Sequence, residues 1–157
     1  MKDSDMRVVI QVGLYAWLAL SPLVLAPLLV SAAERDPLQP RVPPDQLEAA
    51  KAMTNPFPST PDNIAKGDGL YHGKGTCFVC HGTKGQGDGS ASVGFDPSPR
   101  NFANPEFHRA RTDGELMWVL KNGSAGTAMV PVVGSVINEE EGWLILLYER
   151  SLGRSGS

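Results

Sequence analysis

The sequence predicts an all-α domain built from three to four short helices. Three segments begin and end with residues typical of helix termini, and no segment shows the alternating pattern of a half-buried strand. The 17 glycines and 13 prolines indicate that loops join these helices. With 157 residues, two cysteines and a formal net charge of −3, the composition excludes a disulfide-dense scaffold and argues against a nucleic-acid-binding protein.

Residues 1–33 are predicted to be an export signal or a membrane anchor. An apolar run extends from Val8 to Val30, and small residues suited to signal cleavage follow at positions 31–33. The run is also long enough to span a bilayer, which takes about 20 residues. Pro22 and Pro27 favour the cleaved signal. Both alternatives place the rest of the chain outside the cytoplasm.

Residues 34–61 are predicted to form a linker, because seven prolines fall within this stretch. A short helix is possible within Asp45–Thr54. Residues 62–153 then form the folded domain, with three helices that run from Thr60 or Asp62 to Tyr71, from Thr112 to Asn122, and from Asn138 to Gly153. In the second and third helices, a glutamate three residues after the N-cap closes a capping box.

The chemistry of the chain is predicted by Cys77-Phe78-Val79-Cys80-His81. Two cysteines at this spacing can form thioethers with the two vinyl groups of one haem, and the following histidine becomes an iron ligand. A thioredoxin-like pair would need a βαβ context. A zinc site would need two further ligands, for which only His72 and His108 remain. The motif therefore predicts one covalently bound haem c.

Residues from about Asn63 to Gly153 resemble a small single-haem cytochrome c with histidine and methionine ligands. The stretches that carry the resemblance are GDGLYHGKGTCFVCHG, PSPRNF, DGELMWVLKNGSAGTAM and EEEGWLILLYERSLG. The resemblance implies the cytochrome c fold, in which the first and last helices cross at a small residue. Gly67 matches that position, with Ile145 or Tyr148 packed across it. The alternative is that Gly67 and Gly69 merely weaken the helix.

Met129 is the candidate for the second iron ligand. It lies in a flexible loop that ends at a proline, and it matches the ligand methionine of the family, although Val130 separates it from the proline. Met117 lies at an apolar position within a helix, where a methionine usually fills the core. The alternative is a second histidine ligand, His108 or His72.

Further assignments follow from the same resemblance. The carbonyl of Pro97 or Pro99 is expected to accept the ring N–H of His81, which would orient the imidazole and raise its basicity. Arg100 and Trp118 are candidates to donate hydrogen bonds to the haem propionates. The alternatives are a solvated surface charge for Arg100 and a core position for Trp118.

A haem with two protein ligands has no open iron position, so its available chemistry is the gain and loss of one electron. We expect a periplasmic electron carrier rather than an enzyme. Its partners would be a transient redox donor and acceptor, with no nucleic acid and no small-molecule substrate. The alternative is a haem c subunit of a larger membrane-bound oxidoreductase complex, held by residues 8–30. A haem protein with an open iron site is a further alternative, which carbon monoxide binding would reveal.

Overall fold

The computed structural model describes residues 39–155, and this part of the chain is helical. The elements are α1 (Leu47–Ala52), α2 (Pro61–His72), α3 (Phe78–His81), α4 (Pro105–Ala110), α5 (Asp113–Asn122) and α6 (Glu139–Ser155), with one 3₁₀ turn at Ser90–Ser92. Within the described residues, strand-like pairing is limited to an isolated bridge between Val133 and Ile137. The all-α prediction is confirmed. The helices α3 and α4 come in addition to those that the sequence predicted.

The predicted helix starts are confirmed by their caps. The Thr60 hydroxyl accepts a hydrogen bond from the amide of Asn63 and begins α2. A complete capping box joins Thr112 and Glu115 at the start of α5. The reciprocal bonds between Asn138 and Glu141 measure 2.8 and 2.9 Å and begin α6. Each cap satisfies backbone N–H groups that have no partner within the helix.

The predicted end of the last helix at Gly153 is wrong, because α6 continues to Ser155. Gly153 is buried, and a Cβ atom built there would overlap the imidazole of His108. This glycine therefore allows α4 to approach α6. It does not terminate the helix.

The helices α2 and α6 cross at Gly67. A Cβ atom at this position would overlap the carbonyl oxygen of Leu144 and lie 3.1 Å from Cβ of Tyr148. The packing prediction is confirmed for Gly67 and Tyr148. The side chain of Ile145 lies in the core instead, where it is fully buried beside Tyr71. Gly69 has no such role, since a Cβ there would meet nothing within 4 Å.

The described part of the predicted linker packs on the domain. Val42 and Ala50 are buried, and the backbone of α1 lies so close to Gly114 that a side chain there would overlap the Ala50 carbonyl. The amide of Asn55 donates a 2.9 Å hydrogen bond to the carbonyl of Trp143. We call residues 39–55 the N-terminal arm. In residues 39–55 the packing differs from that of an extended linker, because the arm buries apolar side chains between its prolines. The domain boundary at residue 61 stays a prediction.

The predicted export signal or anchor lies outside the described residues. In the range 39–155, no helix combines the length and apolar character needed to cross a bilayer.

Candidate functional site

A cavity of about 340 Å³ collects the residues that the sequence singled out. Cys77, Cys80 and His81 line it from the segment around α3, and Met129 lines it from the loop after α5. The helices α5 and α6 contribute further wall residues, including Leu116 and Leu146. The volume lies within the usual range for small-molecule and cofactor sites, about 300–1,000 Å³. The fold therefore brings the predicted haem-attachment residues and the predicted methionine ligand to one place.

The imidazole of His81 is held in a defined orientation. Its ring stacks on Phe102 at a centroid distance of 4.5 Å, and Nδ1 lies 3.1 Å from the carbonyl oxygen of Arg100. Because a carbonyl can only accept, Nδ1 carries the proton and donates. Nε2 therefore keeps its lone pair, which is the form that ligates a metal. The pKa of His81 is lowered to about 4, chiefly by burial and also by the charge of Arg100, while the hydrogen bond to the Arg100 carbonyl opposes the shift.

The carbonyl that orients His81 was predicted one or three residues too early. The acceptor is Arg100, so the assignments to Pro97 and Pro99 are wrong in this respect. The Pro99 carbonyl points toward Gly87, where a Cβ would lie 2.5 Å from the oxygen. The next carbonyl along the chain, that of Arg100, is the one that reaches the imidazole. Pro99 still lines the cavity.

The two cysteines that line the cavity are free thiols. Cys77 is the N-cap of α3, and Cys80 lies within that helix three residues later. Residues at this spacing lie on one face of a helix, so both sulfurs are presented to the same cavity. The pKa of the Cys77 thiol is raised to about 12, chiefly by burial and then by the nearby carboxyl of Glu149. That thiol therefore stays protonated in the haem-free chain at neutral pH.

A tight turn presents Met129 to the cavity. The backbone carbonyl of Met129 accepts a 2.9 Å hydrogen bond from the amide of Ser124, and its amide donates to the Thr127 hydroxyl at 3.1 Å. Gly123 has a positive φ of 75°, and a side chain there would lie 2.7 Å from the Met129 carbonyl oxygen. The glycine thus permits the close return of the loop. Ligation by Met129 stays a prediction, and this position supports it.

The alternative ligands are engaged elsewhere. His72 bonds Asp68 through Nδ1 at 2.7 Å and the Thr83 carbonyl through Nε2 at 3.1 Å. His108 uses Nε2 on the Phe102 carbonyl at 2.6 Å. Neither histidine lines the described cavity. Met117 is fully buried in the core, as predicted.

The two residues predicted to bind the haem propionates, Arg100 and Trp118, differ in their positions relative to the cavity. Arg100 lines the cavity, with its guanidinium 5.5 Å from the centroid of the Phe107 ring. The Trp118 indole instead donates a 2.9 Å hydrogen bond to the side chain of Gln46 in the arm and does not line the cavity. The structure therefore gives the Trp118 indole a partner other than the predicted propionate. Its helix neighbours Leu116 and Val119 face the cavity, and rotation by about 100° per residue turns Trp118 toward α1.

Several cavity residues were not predicted, and they include most of its charge. Arg41 and Val42 come from the arm, Arg111 from the end of α4, Glu115 from α5, and Glu149 from α6. Arg111 is paired with Glu115 at 3.4 Å. No sequence motif marks these residues. The capping box around Glu115 was recognised, but the same carboxyl also faces the cavity, which only the packing reveals.

The residues present fit a covalently bound haem. Two cysteine thiols can form the thioethers, a neutral histidine offers an oriented nitrogen, and a methionine offers a thioether sulfur. Arg41, Arg100 and Arg111 supply positive charge that suits the two propionates. The family model for cytochrome c matches residues 64–152.

This chain belongs to the cytochrome c family. The cytochrome is therefore an electron-transfer protein that binds haem c covalently. It is similar to a chain of the reducing HAO-like protein complex Kustc0457/Kustc0458 of Kuenenia stuttgartiensis, with 26% sequence identity and a TM-score of 0.53. The alignment covers 62% of this cytochrome and 46% of that chain, so the cytochrome spans less than half of its neighbour. No curated protein matches the chain.

Proposed function

We propose that this cytochrome is a periplasmic one-electron carrier that uses a single haem c with His81 and Met129 as iron ligands. The observation that carries the proposal is the convergence of Cys77, Cys80, His81 and Met129 on one cavity. A haem bound there supplies reversible one-electron chemistry. The single attachment motif in the sequence supports a count of one.

The protein's own residues prepare this chemistry. Phe102 and the Arg100 carbonyl hold His81 in one orientation, so little of the site needs to rearrange when the charge on the iron changes. The apolar wall, which includes Leu116 and Leu146, gives a bound haem a low-dielectric surrounding. A low dielectric and a thioether ligand both favour the reduced state, which supports a carrier of relatively high potential.

The partners that we propose are a redox donor protein and an acceptor protein that dock briefly. Val130 and Val136 line the cavity and are also 64% and 44% exposed. Apolar side chains at the rim of a cofactor site suit a small interface that forms and dissociates quickly. Neither a nucleic acid nor a small-molecule substrate is part of this proposal.

The alternative is a haem c subunit of a larger membrane-bound oxidoreductase complex. Two observations favour it: the similar chain from Kuenenia stuttgartiensis belongs to a protein complex, and the apolar run of residues 8–30 is long enough for an anchor. Expression of the full chain, followed by fractionation and intact mass, separates the two proposals. A soluble protein that lacks the first 33 residues and carries one haem supports the carrier. A protein that requires detergent, retains residues 8–30 and purifies with other subunits supports the complex.

The ligand assignment is tested by Met129→Ala. This change should remove the sulfur-to-iron absorption of the oxidised protein, lower the reduction potential, and let the reduced protein bind carbon monoxide. Met117→Leu is the matched control, because it nearly conserves volume in the core and should cost less than about 1.5 kcal/mol. A sulfur-to-iron band that survives in Met129→Ala would show that another methionine is the ligand.

A further inference from the structure

A buried carboxyl on α6 lies at the haem cavity without a role in attachment or ligation. Glu149 is 4% exposed and lines the cavity, one helical turn after Leu146, which lines it too. It lies close enough to Cys77 and Tyr71 to raise the pKa of both groups. Its carboxyl therefore lies near Cys77, the first of the two cysteines that attach the haem.

Arg150, the cation that lowers the pKa of this carboxyl, makes its hydrogen bonds to other groups. It donates to Asp113 at 2.7 Å and to the carbonyls of His108 and Arg111 at 2.8 and 2.7 Å. The Tyr71 hydroxyl donates to the Gly82 carbonyl at 2.8 Å and so points its proton away. In the described part of the chain, Glu149 makes neither an ion pair nor a hydrogen bond to another side chain.

The groups that face Glu149 come from each element packed around it. Tyr71 belongs to α2, Cys77 precedes α3, and Asp113 belongs to α5. His108 of α4 contacts the side chain of the adjacent Arg150. The other charged or titratable residues that line the cavity are Arg41, Arg100, Arg111, Glu115 and His81. Attachment of the haem converts the Cys77 thiol to a thioether, which no longer titrates. Burial raises the pKa of Glu149 to about 8, with Asp113 raising it and Arg150 opposing.

We propose that Glu149 is a proton-binding site coupled to the haem. Glu149 takes one proton from solvent when the haem gains one electron from its donor, and it returns that proton when the electron leaves. The reason is electrostatic: the oxidised iron carries one more positive charge and stabilises the carboxylate, whereas reduction removes that charge from a buried, low-dielectric site. The inference rests on haem binding at this cavity and holds for a free carrier and for a complex subunit.

Redox potentiometry of the intact holoprotein from about pH 5 to about pH 10 tests the proposal. The potential should fall as pH rises between the two pKa values of Glu149, with a slope of up to about 59 mV per pH unit. A tenfold difference in proton affinity between the oxidation states would give a total fall of about 59 mV. Glu149→Gln should abolish this fall. Glu140→Gln, which removes an exposed carboxyl from the same helix, should keep it.

A wild-type potential that does not change over this range would overturn the proposal, and so would a fall that persists in Glu149→Gln. Infrared difference spectroscopy of the wild type gives an independent measurement if the variant assembles poorly. Reduction should produce the carbonyl band of a protonated carboxylic acid, and labelled glutamate should shift that band. A band that does not shift would assign the proton to a haem propionate and refute the role of Glu149.

The same samples separate this proposal from the ligand assignment. The sulfur-to-iron absorption reports Met129, whereas the pH dependence of the potential reports Glu149. The band should be unchanged in Glu149→Gln. Loss of proton coupling with an intact band supports the proposal.

Discussion

The crossing of α2 and α6 at Gly67 can be tested by a pair of alanine substitutions in the same helix. At Gly67, an added methyl group would overlap the backbone carbonyl of Leu144 and lie 3.1 Å from Cβ of Tyr148. At Gly69, which is exposed, the same group would meet nothing within 4 Å. The two variants therefore share the gain in helix propensity and differ in the packing cost.

The magnitude follows from these two terms. Alanine in place of glycine within a helix stabilises by about 1 kcal/mol, so Gly69→Ala should raise the free energy of unfolding by about that amount. At Gly67 the obstacle is backbone, which cannot rotate away, so the helices must separate. Overpacking of this kind costs about 3 kcal/mol at the upper end of its usual range. When the gain in helix propensity is subtracted from this packing cost, Gly67→Ala should lower the free energy of unfolding by roughly 2 kcal/mol.

Thermal denaturation of the two holoproteins, followed by circular dichroism, measures the difference. For a domain of this size, 1 kcal/mol shifts the midpoint by about 4 °C. Gly69→Ala should melt a few degrees above the wild type, and Gly67→Ala should melt roughly 8 °C below it. A Gly67→Ala variant that is as stable as the wild type would refute the close crossing and would favour the view that this glycine merely weakens the helix.

The remaining predictions concern Glu149, the arm and the iron ligand. The folded-state pKa of Glu149 is raised to about 8, so its stabilising contribution is full below the unfolded pKa near 4.5 and is lost as pH rises toward 8. The free energy of unfolding of Glu149→Gln should therefore rise relative to that of the wild type by up to about 5 kcal/mol between these limits. Denaturant titrations in which the two proteins differ by the same free energy at every pH would contradict this. Val42→Ala should lower the stability of the holoprotein by about 1.5 kcal/mol, because two buried methyl groups are removed, and an unchanged denaturation midpoint would show that the arm is not packed in solution. Met129→Ala should open the iron to carbon monoxide, as set out above.

Helix starts were predictable because the signal is local. In both capping boxes, at Thr112 and at Asn138, the two reciprocal hydrogen bonds join residues three positions apart. The geometry of such a box is the same in any fold, so the residue types suffice to identify it. The ends were less predictable. Glycine is typical of a helix end, yet Gly153 lies within α6. It packs there against His108, which is more than forty residues away in the chain.

The outer parts of the site were missed for a related reason. The partner of the Trp118 indole was not predicted, because Gln46 belongs to the arm, which its prolines had marked as a linker. The acceptor for His81 is the Arg100 carbonyl and not that of Pro97 or Pro99, because the packing of this loop against Gly87 decides which carbonyl faces the imidazole.

By itself, the sequence determined the chemistry of this cytochrome: two cysteines and a histidine within five consecutive residues specify covalent haem, and caps of four residues specify the main helices. The tertiary structure alone decided what surrounds that haem. It placed Val42 and Arg41 of the arm at the cavity, and it buried Glu149 beside Cys77 while Arg150 turned to other partners. Hydrogen bonds and covalent attachment that involve residues close together in the chain can be predicted from the sequence. Burial and electrostatic environment depend on segments that meet only when the chain has folded.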